Sequence, residues 1–242
     1  MDSGPTFPPL LNGRPVDAAT GSFKGSREAC GKGDAGAGDL LWSKAEDVLD
    51  VAVVLEPEVP AAQSMQMLFA AMVAFGDSFG AIGPPEVGLF YRWPNVMLIN
   101  AAHVGLARAG LPDCADSDVP PWMVVGLNVR IQPGPQAPES GYDLTNTSLW
   151  DEGGGEVDRT MLVESFARHF LTWINSWTED GFKPVHDAWM ARADGRDEIV
   201  EIKWQGDKHK GRFLSLDEDG NMLLKRKAET LALPVMAIVE RP

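Results

Sequence analysis

Cysteine is almost missing from this chain. Cys30 and Cys114 are its only two, and they form no CxxC pair. No zinc ribbon or dithiol redox motif is therefore written here, and the count points only weakly to a reducing compartment. Histidine is scarce as well: His103, His169, His186 and His209 show no HExxH or paired spacing, so a metal centre lacks its usual ligand pattern. No GxSxG occurs, and Ser148 has no local partner that would make it a nucleophile. Positive charge is also short, with 21 Lys and Arg against 35 Asp and Glu, a net charge of −14. Residues 1–190 hold 25 acids and 11 bases, whereas residues 191–242 hold 10 of each, so the first part carries the whole excess. An acidic surface repels phosphate backbones, which argues against a nucleic-acid partner. The longest apolar segment, 65–79, is broken by Gln66, Gly76, Asp77 and Ser78. It reads as a core helix and not as a membrane span. The opening residues lack the basic start and apolar run of a signal peptide. The expectation is a cytoplasmic protein with no membrane partner.

What is present fits a globular chain: 242 residues, 44% of them hydrophobic and 23% charged, enough for one large domain plus a small appendage. Residues 1–27, rich in Pro, Gly and Ser, predict an extended lead-in with a turn at Asn12-Gly13; a short helix is expected at 26–33. Strands are expected at 39–43, at the β-branched run 48–55, and at 87–91, 96–99, 103–109 and 122–131. Met65, Leu68, Phe69, Met72, Val73 and Phe79 fall at helical spacing and form a core face. Polar loops are expected over 112–121 and 132–147. Asp158 is placed to cap a helix whose stripe runs from Met161 to Trp177 and which Gly181 and Pro184 stop. A shorter helix follows at 186–190. Beyond Asp194-Gly195 the pattern changes to short strands at 199–204, 210–216, 222–225 and 229–233, separated by Gly206-Asp207 and Asp219-Gly220 turns, which predicts a small β-barrel.

Two motif-like stretches fail on context. Gly31-Lys32-Gly33-Asp34-Ala35-Gly36 matches GxGxxG by letter, but no strand precedes it and a strand, not a helix, follows. Asp34 and Asp39 would repel an anion there. Asp217-Glu218-Asp219-Gly220-Asn221 begins like a calcium loop, yet Met222 and Ala228 stand where glycine and glutamate are required. A tight hairpin turn is the better reading. Composition and spacing alone stop at an acidic α/β protein with a small C-terminal barrel.

The order of four further motifs goes beyond that. Arg92-Trp93-Pro94-Asn95 resembles the KWPND motif of biotin protein ligases. Ala102-His103-Val104-Gly105-Leu106 follows where that family has K-x-x-G-I. Val124-Val125-Gly126-Leu127-Asn128-Val129 is similar to its V-I-G-I-G-x-N-V strand, and Ser148-Leu149-Trp150-Asp151-Glu152-Gly153 to its S-L-x-E-x-G turn. The chain thus resembles a divergent member of the biotin/lipoate protein ligase-like superfamily over about residues 39–242. The resemblance implies an α+β fold, a mixed or antiparallel sheet flanked by helices over residues 1–192, and an SH3-like barrel over 193–242.

Members of that family join biotin or lipoate to ATP as an acyl-adenylate and pass the acyl group to a lysine of a carrier domain. Such chemistry needs preorganised cations, and by this resemblance most are missing. Ala102 stands at the lysine of K-x-x-G, Val96 at the aspartate of KWPND, and residues 44–48 replace the arginine-rich GRGRxGR loop. Arg92 and Asn95 are kept, with Arg108 the only other nearby cation. The resemblance places Arg92, Trp93 and Asn95 at one wall of a ligand pocket, with Gly105 and Gly126 where backbone approaches the ligand. It offers biotin, lipoate or ATP as ligands, a small carboxylic acid among them, and a biotinyl- or lipoyl-carrier-type protein as partner; a homodimer stays open. Three readings follow. The leading one is a ligase-like protein impaired in adenylate formation that keeps an acyl-type ligand or a carrier partner. The second is an active ligase or acyltransferase of altered substrate, using Arg92, Arg108 or Lys44. The third is a structural or interaction protein in which Trp93 and Trp122 are simply core.

Overall fold

The β-branched run Val48–Leu55 forms β3, near the middle of a seven-stranded sheet. The other strands are β1 Asn12–Val16, β2 Asp39–Ser43, β4 Leu89–Arg92, β5 Val96–Ile99, β6 Ala102–Gly110 and β7 Met123–Arg130, in the order β1-β2-β3-β7-β6-β5-β4. The β1–β2 pair is parallel and every other ladder of this sheet is antiparallel. The computed structural model describes residues 4–134, 145–155, 157–227 and 229–242. Most of the loop expected over 132–147 lies outside them.

Five helices cover the sheet: α1 Ser22–Lys32, α2 Ala61–Ser64, α3 Gln66–Ile82, α4 Arg159–Asp180 and α5 Lys183–Ala191. The α3 helix is apolar almost all round, as a helix packed on several sides must be; Leu68, Phe69, Met72, Val73 and Phe75 are fully buried. The segment Ala61–Ile82 is long and apolar enough to cross a bilayer by composition, but most of it is buried inside the fold. The α3, α4 and α5 layer lies over one face of the sheet, where Val51, Val53, Tyr91, Met97, Val104, Ala107, Val125, Leu127 and Val129 join one core. Asp158 caps α4, its carboxylate accepting the Met161 N–H at 2.7 Å. Gly181 stops it at φ 73°.

Two sequence expectations need correction. Asn12-Gly13 is not a turn but the start of β1; at the sheet's edge Pro15 is tolerated because its missing N–H faces away from the ladder. The α1 helix begins at Ser22, because Asp50 on β3 accepts both the Ser22 N–H (2.9 Å) and the Ser22 hydroxyl (2.5 Å). A cap supplied from another strand has no local signature. The C-terminal strands β8 Ile199–Trp204, β9 Asp207–Leu216, β10 Met222–Lys225 and β11 Thr230–Leu233 form an antiparallel sheet in the order β11-β10-β9-β8. The expected barrel is thus seen as a four-stranded antiparallel sheet, whose edge strands β11 and β8 do not pair with each other among the described residues. Pro234 ends β11 after four residues, and the chain turns through Val235–Ile238 to lay Glu240 beside Gly110 on β6.

The two failed motifs resolve as read. Gly33 ends α1 in the left-handed conformation at φ 76°, which is the C-terminal use of glycine and not the phosphate-loop use. Asp217 accepts the N–H groups of Asp219 and Asn221, closing a hairpin turn.

Candidate functional site

The sheet's second face is only half covered. The α1 helix packs on β2, β3 and β7; toward β4 no helix among the described residues lies over it. The ladder registers set out what stands in each row, since directly paired residues share a face. One row reads Phe90, Leu98, His103 across β4, β5 and β6. The next reads Arg92, Val96, Leu106, Asn128, Asp50 across five strands. A third reads Arg108, Gly126, Ala52, Leu41. Apolar residues thus alternate with a guanidinium, an imidazole, an amide and a carboxylate on one surface. Phe90 there is 47% exposed.

The five expected ligand residues separate on this map. Arg92 points onto the open face, and its Nε donates to Asp194 at 2.7 Å. Gly126 lies on the same face one row away, under α1; a Cβ there would sit 2.8 Å from the Phe23 ring. Gly105 pairs with Met97 and Val129 on the helix-covered face, and a Cβ would meet the Asn128 carbonyl at 2.5 Å. Its close approach is strand to strand. Trp93 is buried; its N–H donates to the Gly220 carbonyl at 3.0 Å, and its ring lies 4.5 Å from that of Trp204. Asn95 donates to the Ala107 carbonyl at 2.7 Å and accepts the Ala107 N–H at 2.9 Å. The Trp-Pro-Asn turn therefore fastens the β4–β5 hairpin to β6 and to the C-terminal sheet. That arrangement aims Arg92.

Sequence reasoning passed over several groups on this face. Arg130 is the next outward residue after Asn128 on β7, and strand alternation was the signal for it. Its guanidinium reaches the Thr147 carbonyl and the Asn146 side chain. His103 pairs through its backbone with Thr145 and Thr147. Its Nε2 is buried with no hydrogen-bond partner among the described residues. Burial, then the nearby Arg130 charge, pushes its pKa below the ordinary 6.5. Phe23, Arg27 and Glu240 had no local signal at all. The Arg108 guanidinium lies 4.3 Å from the centre of the Phe23 ring, and Glu240 accepts from it at 2.7 and 2.8 Å.

The position of the missing cationic loop is explicit. Residues 44–47 alone join β2 to β3. They are held at both ends: Arg159 donates to the Ser43 and Ala45 carbonyls at 2.8 and 3.0 Å, and the Asp47 carbonyl accepts from Ile131 and Gln132. Elsewhere, Ser215, His186 and Asp187 line up at 3.0 Å and 3.0 Å. Asp187 is exposed and also paired with Lys183, so this is a solvated relay without the buried carboxylate that orients a catalytic histidine. Ser148 donates to Asp151 at 2.7 Å. Among the described residues no cluster of His, Cys, Asp and Glu could hold a metal.

The profile of the biotin/lipoate A/B protein ligase family matches residues 7–191. The chain belongs to that family. A biotin--[acetyl-CoA-carboxylase] ligase of Paracoccus denitrificans is 27% identical over 187 residues, covering 77% of each chain. Among solved structures, a biotin protein ligase-like protein of unknown function from Silicibacter sp. is 34% identical, with a TM-score of 0.87 over 98% of this chain and 99% of that one. The biotin protein ligase of Aquifex aeolicus in complex with biotin and ATP shares the fold, at 16% identity and a TM-score of 0.70 over 93% and 95%.

Proposed function

We propose that this family member binds a small carboxylic acid of the biotin, lipoate or fatty-acyl type on the open face of its sheet, and that its capacity to form an adenylate is greatly weakened. The observation that carries the reading is the connection between β2 and β3. It has four residues, no arginine, and both ends pinned by Arg159 and by the start of the 131–132 segment. A pinned connection of that length cannot fold over a phosphate and neutralise developing charge, which is what adenylate formation asks of a lid. The arginines of that face, Arg92 and Arg130 toward β4 and Arg108 toward α1, remain as cations for the ligand's carboxylate, with Phe90 and Leu106 for its apolar part. Trp93, Asn95 and Gly105 act by fixing the hairpin and strands that hold Arg92. In the same reading, residues 193–242 form a second, SH3-like domain, and a biotinyl- or lipoyl-carrier-type protein is the partner.

ATP–pyrophosphate exchange in the presence of biotin, lipoate or octanoate tests the first half. The expected result is no exchange above background, alongside octanoate binding seen by calorimetry. Exchange at a rate typical of working ligases would overturn it. A second reading, a transferase of altered substrate, draws on the arginines sharing the open face. It requires mass addition to a carrier lysine that Arg92→Ala abolishes; with no short acyl donor giving a product, that reading is lost.

A further inference from the structure

The region around Gly126 is closed by a stack of four groups from three parts of the chain: Phe23 and Arg27 on α1, Arg108 on β6, and Glu240 near the C-terminus. Phe23 on α1 lies on Gly126. The guanidinium groups of Arg108 and Arg27 lie 4.3 and 5.6 Å from the Phe23 ring centre. Both arginines converge on one carboxylate, that of Glu240. Arg108 Nε and Nη2 donate to its two oxygens at 2.7 and 2.8 Å, and Arg27 Nη1 donates to the second oxygen at 3.2 Å. Paired donation from one guanidinium to both carboxylate oxygens is the strong, shape-selective form of this contact. The site is not saturated: Arg27 Nε is buried and has no hydrogen-bond partner. One short backbone contact seats the carboxylate, with Glu240 N–H donating to Ala109 and Leu111 N–H donating to Glu240 at 2.9 and 3.1 Å.

We infer that Arg27 and Arg108 form a carboxylate-binding site which Glu240 fills from within, and that a small carboxylic acid takes the place of Glu240 there. The inference deepens the function proposed above and rests on it for the acyl part of the ligand, but not for the carboxylate. Two guanidinium groups in a half-buried setting select a planar anion. Glu240 meets that demand intramolecularly, so an outside carboxylate competes with a tethered one at high effective concentration. When Glu240 withdraws, Arg108 loses its anchor and the Phe23 ring is held on Gly126 by packing alone. Phe23, Ala52, Val54 and Val124 pack together beside Gly126, an apolar setting that suits the chain of an acyl ligand whose carboxylate stays on the two arginines.

The test uses the full chain with Glu240→Ala and Glu240→Gln, titrated with acetate and with octanoate at constant ionic strength. Glu240→Ala removes the internal carboxylate and leaves room; Glu240→Gln keeps the shape and serves if the alanine variant does not fold. Acetate is expected to raise the melting temperature of these variants by several degrees more than chloride does, and to leave the wild type unchanged. Octanoate is expected to bind them at least roughly tenfold tighter than the wild type, an advantage lost when Arg108→Ala is added. Acetate acting no better than chloride on either variant would overturn the inference. So would equal octanoate affinity for wild type and variants. Acetate rescue without any octanoate binding would keep the two-arginine site and sink the acyl-ligand reading instead.

Discussion

The two faces of the large sheet are built from the same strands and obey different rules. Under α3, α4 and α5 the inward residues Val51, Val53, Met97, Ala107, Val125, Leu127 and Val129 are apolar and buried. On the other face, the row from Arg92 to Asp50 crosses five strands and holds a guanidinium, an amide and a carboxylate among its apolar members. Each charge on that row must be solvated or paired; Asp50 is used in capping α1 and Arg92 is paired at the surface with Asp194. The covered face therefore accounts for the fold, and the open face is where function is to be sought. Substitutions on the two should separate stability from binding.

The largest effect on stability is expected where the hairpin meets the C-terminal sheet. Trp93→Ala removes a buried ring and leaves the Gly220 carbonyl without its donor. It should cost roughly 3–5 kcal/mol in urea denaturation. A cost near that of a surface change would mean the Trp93–Trp204 contact is not part of the core. Gly105→Ala comes next. Its Cβ would press on the backbone of Asn128 and Val129, which unlike a side-chain tip cannot rotate away, so about 1–3 kcal/mol is expected.

These expectations also mark how much was legible in the sequence. The strands 48–55, 96–99 and 122–131 could be read because β-branched runs and alternation are local properties. The Asp158 cap and the Gly181 stop were legible for the same reason. Family and motif order then gave the architecture that periodicity alone could not. What stayed hidden was tertiary in origin. Asp50 caps α1 from a different strand, which is why that helix starts four residues earlier than its own sequence predicts. Glu240 reaches Arg108 across 132 residues of chain, and no spacing rule connects them. A glycine records close approach without saying of what. At Gly105 the neighbour is a strand, and at Gly126 it is Phe23.

A pH experiment sharpens the contrast within the open face. His103 is held below its ordinary pKa of 6.5 by burial and by Arg130. The unfolded chain then takes up this proton at a higher pH than the folded one. Stability from this group is complete above the unfolded value and is lost as pH falls from there through the depressed folded value. His103→Gln should flatten the stability profile between about pH 7 and pH 5, read by denaturant midpoints. An unchanged slope would place the imidazole in contact with water after all.

The smallest stability effect is expected at Arg92. Its pair with Asp194 is 2.7 Å long, but the two side chains are 51% and 35% exposed. Solvent screens such a pair, so Arg92→Ala should shift stability by less than about 1 kcal/mol. If the open face carries the ligand, the same change should weaken octanoate binding at least severalfold, whereas Arg92→Lys, which keeps charge but loses the planar fork, should fall between. Calorimetric titration of the three proteins decides it. Equal affinities would move the carboxylate of the ligand away from Arg92 and leave Arg27 and Arg108 as the cations that bind it.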